Sequence, residues 1–461
     1  MDAPARAGER RPRVLHSVWN RRMIFRRSGP QPAPPSAGAP RARAPEAGLP
    51  RFAVSATDDL GDAALALSAD APARARLALA DALSASQPVT SRAAFAGRRD
   101  TLAALIAAIE QQRAHVVLYG ERGIGKTSLI HVFAETAREA RYLVLYGSCG
   151  VEARFDEMFR TFAEQIPLLY HGAVSPTADE REHQRSFADL LGDHPVDPRE
   201  LADLFGQLVG TRVILILDEY DRVADPAFRR DVAELIKNLS DRASRVQLLL
   251  TGVASNLDEL IGFTPSIRRN IVGLAVGPMA ADEMRDILAR AEAATGLAYA
   301  RDARDLILTM AGGSPYLVRL LGGRAGARAL DDGRRAVGAE DVLAGTEAVL
   351  AEWNAGLPRR VQAQLTRPEV RSAWPILIGA ARASGTPDGW FTAHDAAAEA
   401  GLSDAIETGR QLDQLVGAID LFDRDPGEGG REARYRFRTP GVAQLLGLSA
   451  ALARAGARAR A

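Results

Sequence analysis

The strongest constraint in this chain is one octapeptide, Gly120-Glu121-Arg122-Gly123-Ile124-Gly125-Lys126-Thr127. Glycine, four residues, then Gly-Lys-Thr is the pattern of a loop that cradles phosphate. Its glycines let the backbone curl until successive N–H groups point inward at anionic oxygens. The apolar run His115–Tyr119 precedes the loop, and the amphipathic stretch Ser128–Ala140 follows it. Strand, loop, helix is the context the motif needs, and the helix N-terminus adds the positive end of its dipole. Lys126 would bridge the β- and γ-phosphates of a nucleoside triphosphate, and Thr127 would offer its hydroxyl to Mg2+. Ser128 completes the nucleotide-binding set with the loop residues Glu121, Arg122 and Ile124.

Composition sharpens the lysine. Of the 58 Lys and Arg residues only Lys126 and Lys237 are lysine. A lysine retained in so arginine-rich a chain marks a place that needs a compact charge on a flexible stem. A second motif stands at the end of another apolar run, where Val213–Leu217 leads into Asp218-Glu219. A carboxylate at such a strand end holds Mg2+, so Asp218 is the expected metal partner. The neighbouring Glu219 is the expected general base toward the attacking water.

These motifs sit in an alternation of strands and helices. His115–Tyr119, Tyr142–Tyr146, Arg212–Leu217, Val246–Thr251 and Ile271–Val276 read as strands, with amphipathic stretches such as Arg154–Ile166 and Phe228–Leu239 between them. Alternation of this kind indicates an α/β fold with a parallel sheet covered on both faces. Residues 1–50, rich in Pro, Ala, Gly and Arg, read as a disordered basic arm or a solvated tail. Up to Arg51 they hold eleven arginines against Asp2, Glu9 and Glu46. Residues 51–91 read as a weakly helical linker, 92–278 as the phosphate-loop core, 279–330 as a helical lid and 331–370 as a helical connector. Within the core, residues 171–198 read as a surface insertion. Residues 371–447 run helix, helix, helix, hairpin, the order of a winged helix-turn-helix. Residues 448–461 read as a tail.

Several stretches resemble a known group. Phe95-Ala96-Gly97-Arg98 is similar to the opening signature of AAA+ and STAND ATPases, and Asp218-Glu219-Tyr220-Asp221 resembles the Walker B segment of origin-recognition and Cdc6 ATPases. Thr251-Gly252-Val253 ends a strand where that group carries sensor 1. Ser266-Ile267-Arg268-Arg269 is similar to its arginine-bearing segment, and Gly313-Ser314-Pro315 to the Gly-x-Pro element of STAND lids. The resemblance, over about residues 92–325, implies an AAA+-like P-loop ATPase that binds ATP and Mg2+. It further implies that Thr251 orients water or the γ-phosphate and that Pro315 packs near the adenine. Arg269, or failing that Arg268, would reach a neighbouring subunit's ATP as an arginine finger, in an ATP-dependent homo-oligomer. Arg319 is the available sensor 2 candidate.

Charge and cysteine use exclude other classes. Asp+Glu also number 58, so no whole-protein field draws the chain to nucleic acid or an anionic membrane. The single cysteine, Cys149, excludes an internal disulfide framework and a cysteine-built zinc site. No apolar run approaches the roughly 18–20 residues that cross a bilayer, so a cytoplasmic protein with no membrane partner is expected. Duplex DNA is the candidate partner of the C-terminal segment. Its hairpin carries Arg431, Arg434, Arg436 and Arg438 interleaved with Tyr435 and Phe437, but its second helix carries Asp404, Glu407 and Asp413. Two functions therefore stand open: an ATPase coupling nucleotide state to DNA association or assembly, and a STAND-type signalling switch acting through protein partners without DNA.

Overall fold

Val-Ile-Leu-Ile-Leu has no polar face, and such a strand is stable only where both faces of its sheet are covered. The computed structural model, which describes residues 71–172, 185–254, 256–261, 265–385, 389–419, 421–427, 432–439 and 441–458, places it so. The expected basic arm and Arg431 lie outside the described residues. Helix α1 (Ala71–Ala82) and helix α2 (Arg99–Glu110) lead to strand β1 (His115–Gly120), helix α3 (Lys126–Glu139) and strand β2 (Leu143–Ser148). Helices α4 (Phe155–Glu164) and α5 (Pro198–Gly206) precede β3 (Val213–Asp218), α6 (Pro226–Asp241) and β4 (Val246–Val253). The short helices α7 (Leu257–Ile261) and α8 (Pro265–Arg268) lead into β5 (Ile271–Ala275).

The five strands form one parallel sheet in the order β2-β3-β4-β1-β5. Side chains alternate between its faces. Val117, Leu215, Leu217, Leu248 and Leu250 pack with Phe155, Phe159, Phe162 and Phe228. Val116, Leu118, Ile214, Ile216 and Leu249 pack with Leu102, Leu105, Leu129 and Phe133. β4 lies between β1 and β3, so the carboxyl ends of these three strands open side by side. Ligands of open α/β sheets bind at such an edge.

Beyond the sheet, α9 (Ala281–Thr295), α10 (Arg301–Ala311), α11 (Pro315–Asp331) and α12 (Ala339–Gly356) gather around a second core, with the strand pair β6 (Ala298–Tyr299) and β7 (Ala336–Val337) at its side. Helices α13 (Arg359–Leu365) and α14 (Pro368–Ser372) connect to α15 (Trp374–Ala383), β8 (Phe391–Thr392), α16 (Ala393–Ala400) and α17 (Ala405–Ile419). β9 (Phe422–Asp425) and β10 (Arg434–Phe437) form a hairpin that β8 extends to three strands, in the order β8-β10-β9. Helices α15 and α16 approach closely at Gly379, where a Cβ would stand 2.1 Å from the Ala396 carbonyl oxygen. Among the described residues no helix is long and apolar enough to cross a membrane.

Three expectations need correction. Residues 448–461 do not begin a loose tail: helix α18 (Val442–Arg458) runs through most of them. Its Leu445 and Leu446 join the C-terminal core while Leu448 joins the core around α9–α12, so the helix stitches the two. The 171–198 stretch is not wholly superficial, because Phe187, Leu191 and Val196 are buried in the sheet's core. The polar residues around them hid a short turn in which the Asp189 carboxylate accepts from the Ser186 amide at 2.7 Å, with Phe187 buried inside it. Finally, α1 is no linker. Its Leu79, with Leu83, packs against the small faces of Gly322 and Gly326 on α11.

His115 opens β1 fully buried, and its Nδ1 accepts a hydrogen bond from the Leu248 amide at 2.9 Å. Burial pushes this imidazole down to about 4. The unfolded chain takes up a proton near the ordinary histidine value that the folded chain refuses. Stability is therefore full above about pH 6.5 and falls as the pH drops from there to about 4, by about 3 kcal/mol from this group. His115→Gln, which keeps an acceptor, is expected to flatten that part of the slope. Thermal unfolding of both proteins between pH 7 and pH 4 checks it.

Candidate nucleotide site

The loop after β1 folds as its glycines dictate. Gly120, Gly123 and Gly125 adopt positive φ of 153°, 75° and 98°. At Gly120 a Cβ would stand 2.3 Å from the Val276 carbonyl oxygen, so only glycine passes there. The Lys126 side chain curls back over the loop, and its Nζ donates to the carbonyls of Gly120 (2.8 Å) and Glu121 (2.7 Å). Burial pushes this ammonium down to about 8, against the pull of Asp221, Asp218 and Glu121. Among the described residues the ammonium is held by these two carbonyls and by no carboxylate, a buried cation that an anion could satisfy further.

Asp218 ends β3 nearly inaccessible to solvent and gathers four donors. Its Oδ2 accepts from Thr127 Oγ1 (3.1 Å) and from Tyr146 Oη (2.8 Å). Its Oδ1 accepts from Thr251 Oγ1 (2.9 Å) and from the Glu219 amide (2.9 Å). Glu219 takes left-handed backbone, φ 55°, a conformation costly for a residue with a Cβ. The turn is fixed on its far side by Asp221, whose Oδ1 accepts from the Val253 amide at 2.9 Å. The Glu219 carboxylate stands half-exposed and accepts from Ser148 Oγ (3.2 Å) and Arg222 Nη1 (2.7 Å).

A cavity of about 590 Å³ joins these groups. Arg122, Gly123, Ile124, Gly125, Lys126, Thr127 and Ser128 line it, with Asp218, Glu219, Thr251 and Pro315. Pro315 stands over the loop, its Cγ 3.4 Å from where a Gly125 Cβ would be. Of the expected set, Gly120 and Glu121 lie outside this lining, and the Glu121 carboxylate sits beside Gly385 of the C-terminal module. Arg268 and Arg269 also lie outside it: Arg268 pairs with Asp258, and Arg269 stands exposed with Asp241 4.0 Å away.

Sequence reasoning missed several lining residues. Ser84–Val89, assigned to a linker, form one wall, held where the Val89 amide donates to Ser128 Oγ at 3.0 Å. Phe95, Met279, Ile287 and Tyr316 add apolar surface. Tyr146, outside this lining, joins the site only through its bond to Asp218. The signal was strand adjacency, since β2 pairs with β3 and sets Ser148 opposite Asp218. Arg319, the sensor 2 candidate, lines the cavity, but its guanidinium is committed to backbone. Buried, it donates to the carbonyls of Ala82 (2.6 Å) and Ala94 (3.2 Å), so it clamps the two ends of the Ser84–Val89 wall to α11.

The C-terminal hairpin is charge-compensated. Arg434 pairs with Asp425 (2.8 Å), and both Arg436 and Arg438 pair with Asp423 (3.0 and 2.9 Å). Arg424 pairs with Asp413 (2.7 Å), which also accepts from Tyr435 Oη. Tyr435 and Phe437 are buried in the core, and Arg434 and Arg436 lie over the Trp390 ring. On α17, Arg410 and Gln411 are both engaged by Glu407.

Residues 94–251 match the family model described as AAA ATPase domain, a span that runs from the cavity wall through both motifs to Thr251. No curated protein matches the chain. Among solved structures it is similar to Cdc6p from Pyrobaculum aerophilum, at 16% identity and a TM-score of 0.42, over 81% of this chain and 98% of that one. A Walker-type ATPase of Pyrococcus abyssi is similar at 17% identity and a TM-score of 0.44, over 78% and 98%. The Thermotoga maritima RuvB Holliday junction branch migration motor is similar at 19% identity and a TM-score of 0.38, over 73% and 92%.

Replacing Arg319 by Met leaves the Ala82 and Ala94 carbonyls, which flank the wall, without their donor, and loosening of the wall is expected to weaken nucleotide binding about tenfold. Calorimetric titration with ADP checks this, and a mutant that binds like the parent would show that the wall holds without the clamp.

Proposed function

We propose that this chain binds ATP with Mg2+ and hydrolyses it, and that nucleotide state governs assembly or DNA association. The observation that carries the reading is the buried Asp218 carboxylate, joined to the hydroxyls of Thr127 and Thr251 at the mouth of a glycine loop that also presents Lys126. Thr127 and Asp218 offer hard oxygen donors 3.1 Å apart, a set that suits Mg2+, which takes few protein ligands beside phosphate and water. When bound, the ion neutralises charge building on the β- and γ-phosphates. Lys126 leaves its loop carbonyls for those phosphates, Thr251 orients the water or the γ-phosphate, and Glu219 takes the proton of the attacking water. Pro315 and the Ser84–Val89 wall hold the base.

On this reading residues 92–278 form an ATPase core, 279–330 a lid, 331–370 a connector and 371–447 a winged helix. Arg269, exposed and outside its own cavity, is the residue proposed to act on a neighbouring subunit's ATP, with Arg268 the alternative. A second reading, a STAND-type switch that acts through protein partners without DNA, is favoured by one observation. Each hairpin arginine among the described residues pairs with an aspartate of its own module, which leaves little positive field for a phosphate backbone.

Glu219→Gln is expected to keep ATP binding and to lower turnover at least about 100-fold. Phosphate release measured beside calorimetric binding separates the two effects, and parental turnover in the mutant would remove Glu219 from the role of base. The same assay with duplex DNA at two salt concentrations decides between the readings. Stimulation that fades as salt rises supports DNA association, while slow turnover indifferent to DNA supports the protein switch. Arg269→Ala, inactive alone, is expected to regain turnover when mixed with Lys126→Ala protein, because each mutant supplies what the other lacks. No rescue in a mixture shown to co-assemble would rule out action between subunits.

A further inference from the structure

Among the described residues, four arginines line the cavity: Arg98, Arg122, Arg222 and Arg319. Two are committed to backbone. Arg98 Nη2 donates to the Ile124 carbonyl at 3.2 Å, and Arg319 holds the carbonyls of Ala82 and Ala94. Arg122 is carried by the loop itself. Arg222 differs from all of these, because it stands on the β3 side with Asp218 and Thr251, and its contact is the carboxylate proposed as the base.

We propose that Arg222 senses the terminal phosphate of a bound nucleoside triphosphate by exchanging partners, from Glu219 to that phosphate. This rests on the nucleotide reading of the cavity. The turn that carries Arg222 is anchored on both sides, with Tyr220 buried and Asp221 bonded to the Val253 amide. The guanidinium itself is half-exposed, on a long side chain that can swing without disturbing the turn. A half-exposed ion pair is weak, whereas a guanidinium meets a phosphate through two parallel N–H donors. The triphosphate therefore competes successfully, and a diphosphate, with nothing at the terminal position, does not. Partner exchange also removes one of the two hydrogen bonds on Glu219 Oε2, the other being that of Ser148. Arrival of the terminal phosphate and release of the base become one event.

The test is the ratio of affinities for a non-hydrolysable ATP analogue and for ADP, both with Mg2+, measured by calorimetry on the full chain. Four proteins are needed: the parent, Arg222→Gln, Glu219→Gln, and the double variant. Glu219→Gln frees Arg222 from competition and is expected to raise the analogue-to-ADP ratio about fivefold. Arg222→Gln is expected to lower the ratio below that of the parent, and the double variant to match Arg222→Gln alone. An unchanged ratio in Arg222→Gln, or an effect of Glu219→Gln that persists without Arg222, would overturn the proposal while leaving the nucleotide site intact. A parent that binds neither nucleotide would overturn both.

Discussion

One carboxylate holds the site together. Asp218 collects donors from helix α3, strand β2, strand β4 and the backbone of its own turn. A buried carboxylate is expensive unless its lone pairs are filled, so those four elements must come into register before the charge is tolerated. The parallel order β2-β3-β4-β1 makes this possible, because β3 lies between β2 and β4 and faces the β1 loop across one strand. The site is thus a condition of the sheet's closure at that edge. Tyr146 shows the cost of membership, since burial and the neighbouring Asp218 hold its phenol protonated well beyond the ordinary tyrosine range. Cys149, whose amide caps the Asp218 carbonyl, is pushed up to about 12 by burial and the same carboxylates. A buried thiol so raised is a poor nucleophile.

The sheet and the phosphate loop were legible in the chain because each leaves a local mark. Buried parallel strands are unbroken apolar runs, and a backbone that must take positive φ at Gly123 and Gly125 needs glycine at fixed spacing. The wall at Ser84–Val89 was not legible. It is irregular, carries no period, and is fixed by single contacts to Ser128 and by Arg319 from far along the chain. Tyr146 and Ser148 were unreadable for another reason. Their meaning comes from which strand lies beside β2, and strand order is a tertiary fact. Arg319 was misplaced because its distance from Pro315 along the helix says nothing of which way the guanidinium turns. Helix α18 was missed because Ala and Arg dilute its apolar stripe.

The C-terminal module shows how sequence can mislead about charge. Arg434, Arg436 and Arg438 alternate and look like a basic face, yet the strand opposite supplies Asp423 and Asp425 in register. Arg436 faces Asp423 and Arg434 faces Asp425 directly across the hairpin. Cross-strand pairs of opposite charge stabilise the hairpin itself. The arginines are explained by the hairpin before any partner is invoked, and a partner would have to outbid the aspartates.

Helix α1 carries a mechanical consequence. It lies on α11 through Leu79 and Gly326, and its last carbonyl is gripped by Arg319 just before the chain turns into the cavity wall. A displacement of this helix would therefore be felt at the cavity wall and at α11 together, because one guanidinium and one apolar contact tie it to both.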